Sequence, residues 1–103
     1  MTIEQQQPAS STVVLFLSGR LDTASAPHLE RKIKQRGEDI TELILDFKEL
    51  SYISSMGLRV LLQAKKTLTE EGRKLTIRNM GAAVREVFEM TGFLNLMAQE
   101  GNL

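Results

Sequence analysis

Cysteine is absent from the 103 residues, and histidine occurs once, at His28. Without thiols there can be no disulfide, thiolate metal site or cysteine nucleophile, and the chain needs no oxidising compartment. A single imidazole excludes a histidine-rich metal centre, and nothing else in the sequence calls for a metal or cofactor. An excess of charge of one sign is lacking too. Thirteen Lys and Arg cancel thirteen Asp and Glu, and no basic block stands out. The long-range attraction that drives nonspecific binding to nucleic-acid phosphates or anionic lipids therefore has no source. No apolar run approaches the roughly 20 residues that span a bilayer. The opening MTIEQQQPASS has neither the basic nor the apolar part of a secretory signal. The expectation is a cytoplasmic protein with neither nucleic acid nor membrane as its partner.

What is present is enough apolar material for one compact domain over residues 1–103, at 42% hydrophobic content. The first few residues suit an edge strand. TVVLFLSG, Thr12 to Gly19, is a β-branched and aromatic run that reads as a buried strand. A helix from Ala26 to about Arg36 follows, with Thr23 and Ser25 as candidate caps, Pro27 in its first turn and Gly37 past its end. Thr41 to Phe47 reads as a strand covered on both faces, and KELSYI as a loop. Met56 to about Glu71 is helical, Lys74 to Met80 a strand, and GAAVREVFEMTG a further helix. This alternation predicts an α/β fold, a small and mostly parallel sheet with an antiparallel N-terminal edge strand, flanked by helices.

The segment LSYISSMGLRVLL, Leu50 to Leu62, sets two serines and a glycine at a predicted helix start. A serine there accepts a backbone N–H of the first turn, but capping explains only one of the two. Counted at about 100° per residue, Leu58, Val60, Leu61, Leu62, Ala64 and Leu68 fall on a broad buried arc. Arg59, Gln63, Lys66 and Glu70 fall on the stripe opposite, and Met56 projects to that side as well. The exposed strip therefore begins with Ser54, Ser55, Met56, Gly57 and Arg59, and suits protein recognition, with Gly57 letting a partner's backbone come close. Met56 is equally well explained as a flexible filler of the core. A phosphate on one serine would add about −1.5 to −2 charges at pH 7. The positive end of the helix accommodates that charge, whereas a docked partner would have to bury a hydrated dianion. As for catalysis, Ser55, His28 and Asp22 make a triad only on paper, because Asp22 and His28 flank a helix start with Pro27 between them. The lone Gly57 does not make a phosphate loop, and DFKELSYISS fits no calcium loop.

These segments resemble a known family. LILDFKELSYISSMGLRVLLQA resembles the central motif of STAS domains, in particular the bacterial anti-sigma-factor antagonists. LSGRLDTASAPHLERKI resembles their strand-loop-helix opening, and KLTIRN and VREVFEMTGFLNLM fit as well, so that the likeness covers about residues 12–97. The resemblance implies a regulator without catalysis. Its partners would be an anti-sigma factor that is also a serine kinase of the histidine-kinase-like ATPase fold, and a metal-dependent serine phosphatase. By the same resemblance the phosphoacceptor is Ser55, with Ser54 the second candidate. The aspartate near the phosphosite is Asp22, the strand-end aspartate is Asp46, and Thr23, Met56, Gly57 and Arg59 join the partner surface. Two positions depart from the family pattern: Ser54 stands where aspartate is frequent, and Met56 is bulkier than the usual serine, threonine or alanine. A STAS adaptor that binds within a sensory or transport complex without phosphorylation is the alternative.

Overall fold

The computed structural model describes the backbone of residues 1–98 and the side chains through Asn95. Its order is β1 (Thr2–Ala9), β2 (Thr12–Leu21), α1 (Ala26–Lys34), β3 (Glu42–Ile53), α2 (Ser55–Glu70), β4 (Lys74–Arg78), α3 (Ala82–Thr91) and α4 (Phe93–Ala98). The four strands form one sheet in the order β1-β2-β3-β4. β1 runs antiparallel to β2, while β2 with β3 and β3 with β4 are parallel pairs. The mostly parallel sheet with an antiparallel edge is as the sequence pattern predicts.

Strand alternation sorts the side chains. Leu15, Leu17, Leu43, Leu45, Phe47, Leu75 and Ile77 join a core with Leu29 and Ile33 of α1, Leu58, Leu61 and Leu68 of α2, and Val84 and Phe88 of α3. Phe47 and Phe88 meet edge to face at 6.4 Å between ring centroids, a preferred geometry for aromatic pairs. Of the intervening positions of the sheet, Phe16, Ile44 and Thr76 are only half-buried, whereas Val14 and Asp46 are buried. The expectation of a β3 covered on both faces is corrected for Glu42 and Ile44, which are half-buried, while Asp46 on the same face is covered. On its outer face Glu42 accepts a hydrogen bond from the Thr76 hydroxyl at 2.9 Å, a polar cross-strand contact in place of helix packing.

Other local expectations also change. KELSYI is strand, not loop, because β3 stays paired with β2 as far as Leu21 opposite Ile53. Register shifts between Phe16 and Ser18 and between Gly19 and Arg20 break the alternation that would have revealed it. Gly19 takes φ +96° there, a conformation that costs a side-chain-bearing residue. α1 stops at Lys34, short of Arg36. The tail after Gly92, at φ +78°, is a separate short helix whose Phe93 ring lies 6.3 Å from that of Phe88. On α2 the buried arc is rotated from the expected one: Leu62 is 39% exposed, whereas Lys65 is 5% exposed. No helix among the described residues is long and apolar enough to cross a membrane.

Candidate functional site: the serine pair at the start of α2

The strand ends set the position of the serines. Ser54 N–H donates to the Leu21 carbonyl at 2.8 Å, which extends the β2–β3 pairing by one step and ties the β2–α1 loop to the start of α2. Ser54 itself is extended, at φ −95° and ψ 172°. Its carbonyl accepts the first helical bond, from Leu58 N–H at 3.0 Å. Its hydroxyl accepts from Gly57 N–H at 3.2 Å, as an N-cap does. Ser55, the first helical residue, is exposed, and its hydroxyl makes no hydrogen bond among the described residues. The two neighbours therefore differ chemically: one hydroxyl is spent inside the helix start and the other faces outward.

Across the Leu21–Ser54 bond lies Asp22, in a turn held by Ser25. Asp22 Oδ1 accepts from Ser25 N–H at 3.0 Å and faces the Ser25 hydroxyl at 3.0 Å. Asp22 N–H donates to Ser25 Oγ at 2.9 Å. The one hydroxyl hydrogen of Ser25 is better spent on the Arg20 carbonyl, at 2.8 Å. The hydrogen bond from Ser25 N–H lowers the Asp22 carboxyl below its ordinary value against the upward push of burial, with Ala24 N–H and the charge of Arg20 adding to the lowering. Asp22 is thus a fixed anion beside the serine pair. Ser25 holds the N-cap position of α1 but makes no capping bond, and Thr23 is exposed, so neither candidate cap serves as one. His28 is half-buried in the first turn of α1, and Asp22 turns its carboxylate to Ser25, not toward that imidazole.

The expected recognition strip needs two corrections. Gly57 is buried and not open to a partner: a Cβ there would lie 2.8 Å from Leu21 Cγ and 3.0 Å from Ile53 Cγ1. The glycine is required because α2 begins against the ends of β2 and β3. The helical count could have shown this, since at about 100° per residue Gly57 falls between Ala64 and Leu68 on the buried arc. Met56 is half-buried and packs against the core, so it is not a free apolar side chain. Arg59 is exposed. The outward stripe runs Ser55, Arg59, Leu62, Lys66, with the 39% exposed Leu62 as its apolar member.

Asp46 lies elsewhere. It is not at a strand end but within β3, opposite Phe16 and Arg78, and is 4% exposed. Burial pushes its carboxyl up, yet hydrogen bonds from Arg78 Nε at 2.8 Å, Lys48 N–H at 2.9 Å and Asn79 Nδ2 at 3.0 Å outweigh that and hold it below the ordinary value. Asn79 reaches it from a left-handed conformation, φ 59°. This network fastens the end of β4 to β3 and is structural.

The chain is similar to known proteins. The family model described as STAS domain matches residues 1–102. BtrV of Bordetella bronchiseptica, which carries the name of an anti-sigma factor antagonist, is 37% identical over 87 residues, 82% of this chain and 73% of that protein. The anti-sigma-B factor antagonist of Bacillus subtilis is 28% identical over 81 residues, 79% of this chain and 74% of its own length. The structure of the Bacillus cell fate determinant SpoIIAA in its phosphorylated form is similar with a TM-score of 0.73 and 25% identity, covering 88% of this chain and 84% of that one.

Proposed function

We propose a function from one premise: the chain belongs to the STAS domain family. Within that family we infer an anti-sigma-factor antagonist, as its relatives in Bordetella bronchiseptica and Bacillus subtilis are named. The chain binds an anti-sigma factor that is also a serine kinase of the histidine-kinase-like ATPase fold, and so frees the sigma factor that the kinase had held. Phosphorylation of Ser55 ends the complex, and a metal-dependent serine phosphatase restores it. The protein itself performs no catalysis.

One observation carries this reading: the hydroxyl of Ser54 is engaged by Gly57 N–H, and that of Ser55 is exposed and unengaged among the described residues. A kinase needs a hydroxyl that can enter its active site without dismantling the substrate's fold. A phosphate on Ser55 sits at the N-terminus of a 16-residue helix, where spare backbone N–H groups and the positive end of the dipole stabilise a dianion. The domain tolerates the modification. A partner seated along Ser55, Arg59 and Leu62 does not, because it must desolvate that dianion against its own surface. Asp22 adds a fixed negative charge at the same rim, so that the phosphorylated surface is strongly anionic. A solved relative in a phosphorylated form supports the same chemistry for the fold.

The test is a pull-down with the full chain in the presence and absence of ATP, followed by phosphosite mapping of the recovered chain. The expected outcome is capture of a kinase that is lost when ATP is added, with the phosphate on Ser55. Ser55→Ala should hold the kinase in both conditions, and Ser55→Asp should bind weakly. If both variants bind like the parent, the switch is wrong. Phosphate on Ser54 alone would overturn the division of roles between the serines.

A further inference from the structure

We propose that Arg20 and Tyr52, stacked at the strand ends beside the serine pair, hold an acidic side chain of the kinase partner and so set which partner this chain accepts. The inference rests on the function proposed above, but on residues other than those that carry it. β2 and β3 pair Arg20 with Tyr52 and Leu21 with Ile53. Leu21 and Ile53 are buried at 0% and 2% exposure, so alternation sends Arg20 and Tyr52 to the outer face of the sheet. There the guanidinium carbon of Arg20 lies 4.0 Å from the Tyr52 ring centroid.

Two properties set this pair apart from an ordinary surface contact. Tyr52 is 38% exposed, a large aromatic area left in water. The guanidinium makes no hydrogen bond or ion pair among the described residues, although its charge acts on Asp22 nearby. Arg31, Arg59 and Arg85 share that lack of a bonded carboxylate, which Arg36, Arg73 and Arg78 have, but among the described residues Arg20 is the one of these four that lies over an aromatic ring. A guanidinium over an aromatic face can keep its N–H edge free, and that edge is what takes a carboxylate with two parallel hydrogen bonds. Tyrosine and arginine in contact at an exposed rim are also the residue types that dominate binding energy at protein interfaces. The partner group is therefore an aspartate or glutamate. Place completes the argument. The residues after Arg20 and Tyr52 lead directly to the Leu21–Ser54 hydrogen bond of 2.8 Å, and beyond it to Asp22 and Ser55. A partner covering Ser55 meets the stack across that one rim.

The test uses the kinase recovered in the pull-down, expressed and purified, and titrated against the unphosphorylated full chain and its variants, with melting temperatures measured alongside. Arg20→Ala and Tyr52→Ala should each weaken binding about tenfold or more, and Arg20→Glu further. Arg20→Lys, which keeps the charge but not the planar fork, should fall well below the parent. The affinity of Arg20→Ala should depend less on salt than that of the parent, and melting should stay parent-like. A stack that serves only the sheet end would lower melting and spare binding. Parent-like affinity in Arg20→Ala and Tyr52→Ala, with Ser55→Asp still failing to bind, overturns this inference and leaves the serine switch intact. Parent-like binding by Ser55→Asp counts against the switch and is read separately. If Arg20→Ala lowers the melting temperature, Arg20→Gln decides, since it keeps the stem over the ring without the charge: parent-like affinity in that variant refutes the carboxylate contact.

Discussion

Replacing Gly57 with alanine tests how tightly the serine pair is held. The backbone of Gly57 does not need glycine, since its φ lies outside the left-handed region. Elsewhere in a helix the change would gain up to about 1 kcal/mol in helix propensity. Here the added Cβ would stand 2.8 Å from Leu21 Cγ, 3.0 Å from Ile53 Cγ1 and 3.1 Å from Leu21 Cδ2. Leu21 Cγ is a branch point in a side chain with no exposure, so it has no free end to swing aside. Inserting a methyl into such a packed site costs about 1–3 kcal/mol. Because the approach is to a buried branch point, the upper part of that range, about 2–3 kcal/mol, applies, and after the propensity gain a net loss of about 1–2 kcal/mol is left, or a fall of about 5–15 °C in melting temperature for a domain of this size. Circular dichroism on heating measures it. Since α2 can relieve the clash only by moving away from the strand ends, Ser55 should shift relative to Asp22, and the rate of phosphorylation by the kinase should fall beyond what the lost stability explains. A Gly57→Ala protein as stable as the parent, or more so, would refute the close approach of α2 to Leu21 and the register of the site with it.

Ser54→Ala removes the cap and should cost about 1 kcal/mol in stability while phosphate is still found on Ser55 by mass spectrometry. Asp22→Ala and Ser25→Ala dissolve the same turn, so melting should fall by a similar small amount in both; if Asp22 also touches the partner, only Asp22→Ala weakens kinase binding in titration. Asp46→Asn leaves Arg78 Nε and Asn79 Nδ2 facing an amide in a buried place and should lose about 2 kcal/mol at pH 7. Because the folded-state value of Asp46 lies below its ordinary 3.8, the ionised network contributes fully above about pH 4 and is lost as the pH falls through the lowered value. Denaturant unfolding at a series of pH values should therefore show a shallower acid decline for Asp46→Asn than for the parent.

The order of elements, the parallel pairs and the antiparallel edge follow from runs such as TVVLFLSG and from glycines at helix ends, because burial on one face writes a clear pattern into the residues. That one of the two serines caps the helix is legible, since a helix start admits one cap; that the cap is Ser54 rests on the bond from Gly57 N–H. What escaped the pattern depends on tertiary contact. The second half of β3 carries exposed Lys48 and Glu49 before buried Leu50, and exposed Ser51 and Tyr52 between Leu50 and Ile53, and its shifts of register against β2 disguise a strand as a loop. The helical count puts Gly57 on the buried arc, but only the strand ends packed against it show why no side chain fits there, and Leu62, counted onto that arc, is exposed. Arg20 and Tyr52 are ordinary residues in the sequence; only the pairing of β2 with β3 stacks them.

The central claim is that a phosphate on Ser55 ends partner binding and leaves the domain folded. Titrating the purified kinase against the chain carrying a single phosphate mapped to Ser55, and against the unmodified chain, tests it most directly. Affinity should fall at least a hundredfold, with circular dichroism and melting temperature close to those of the unmodified chain. Unchanged affinity of a chain fully phosphorylated on Ser55, or loss of binding accompanied by unfolding, would contradict it.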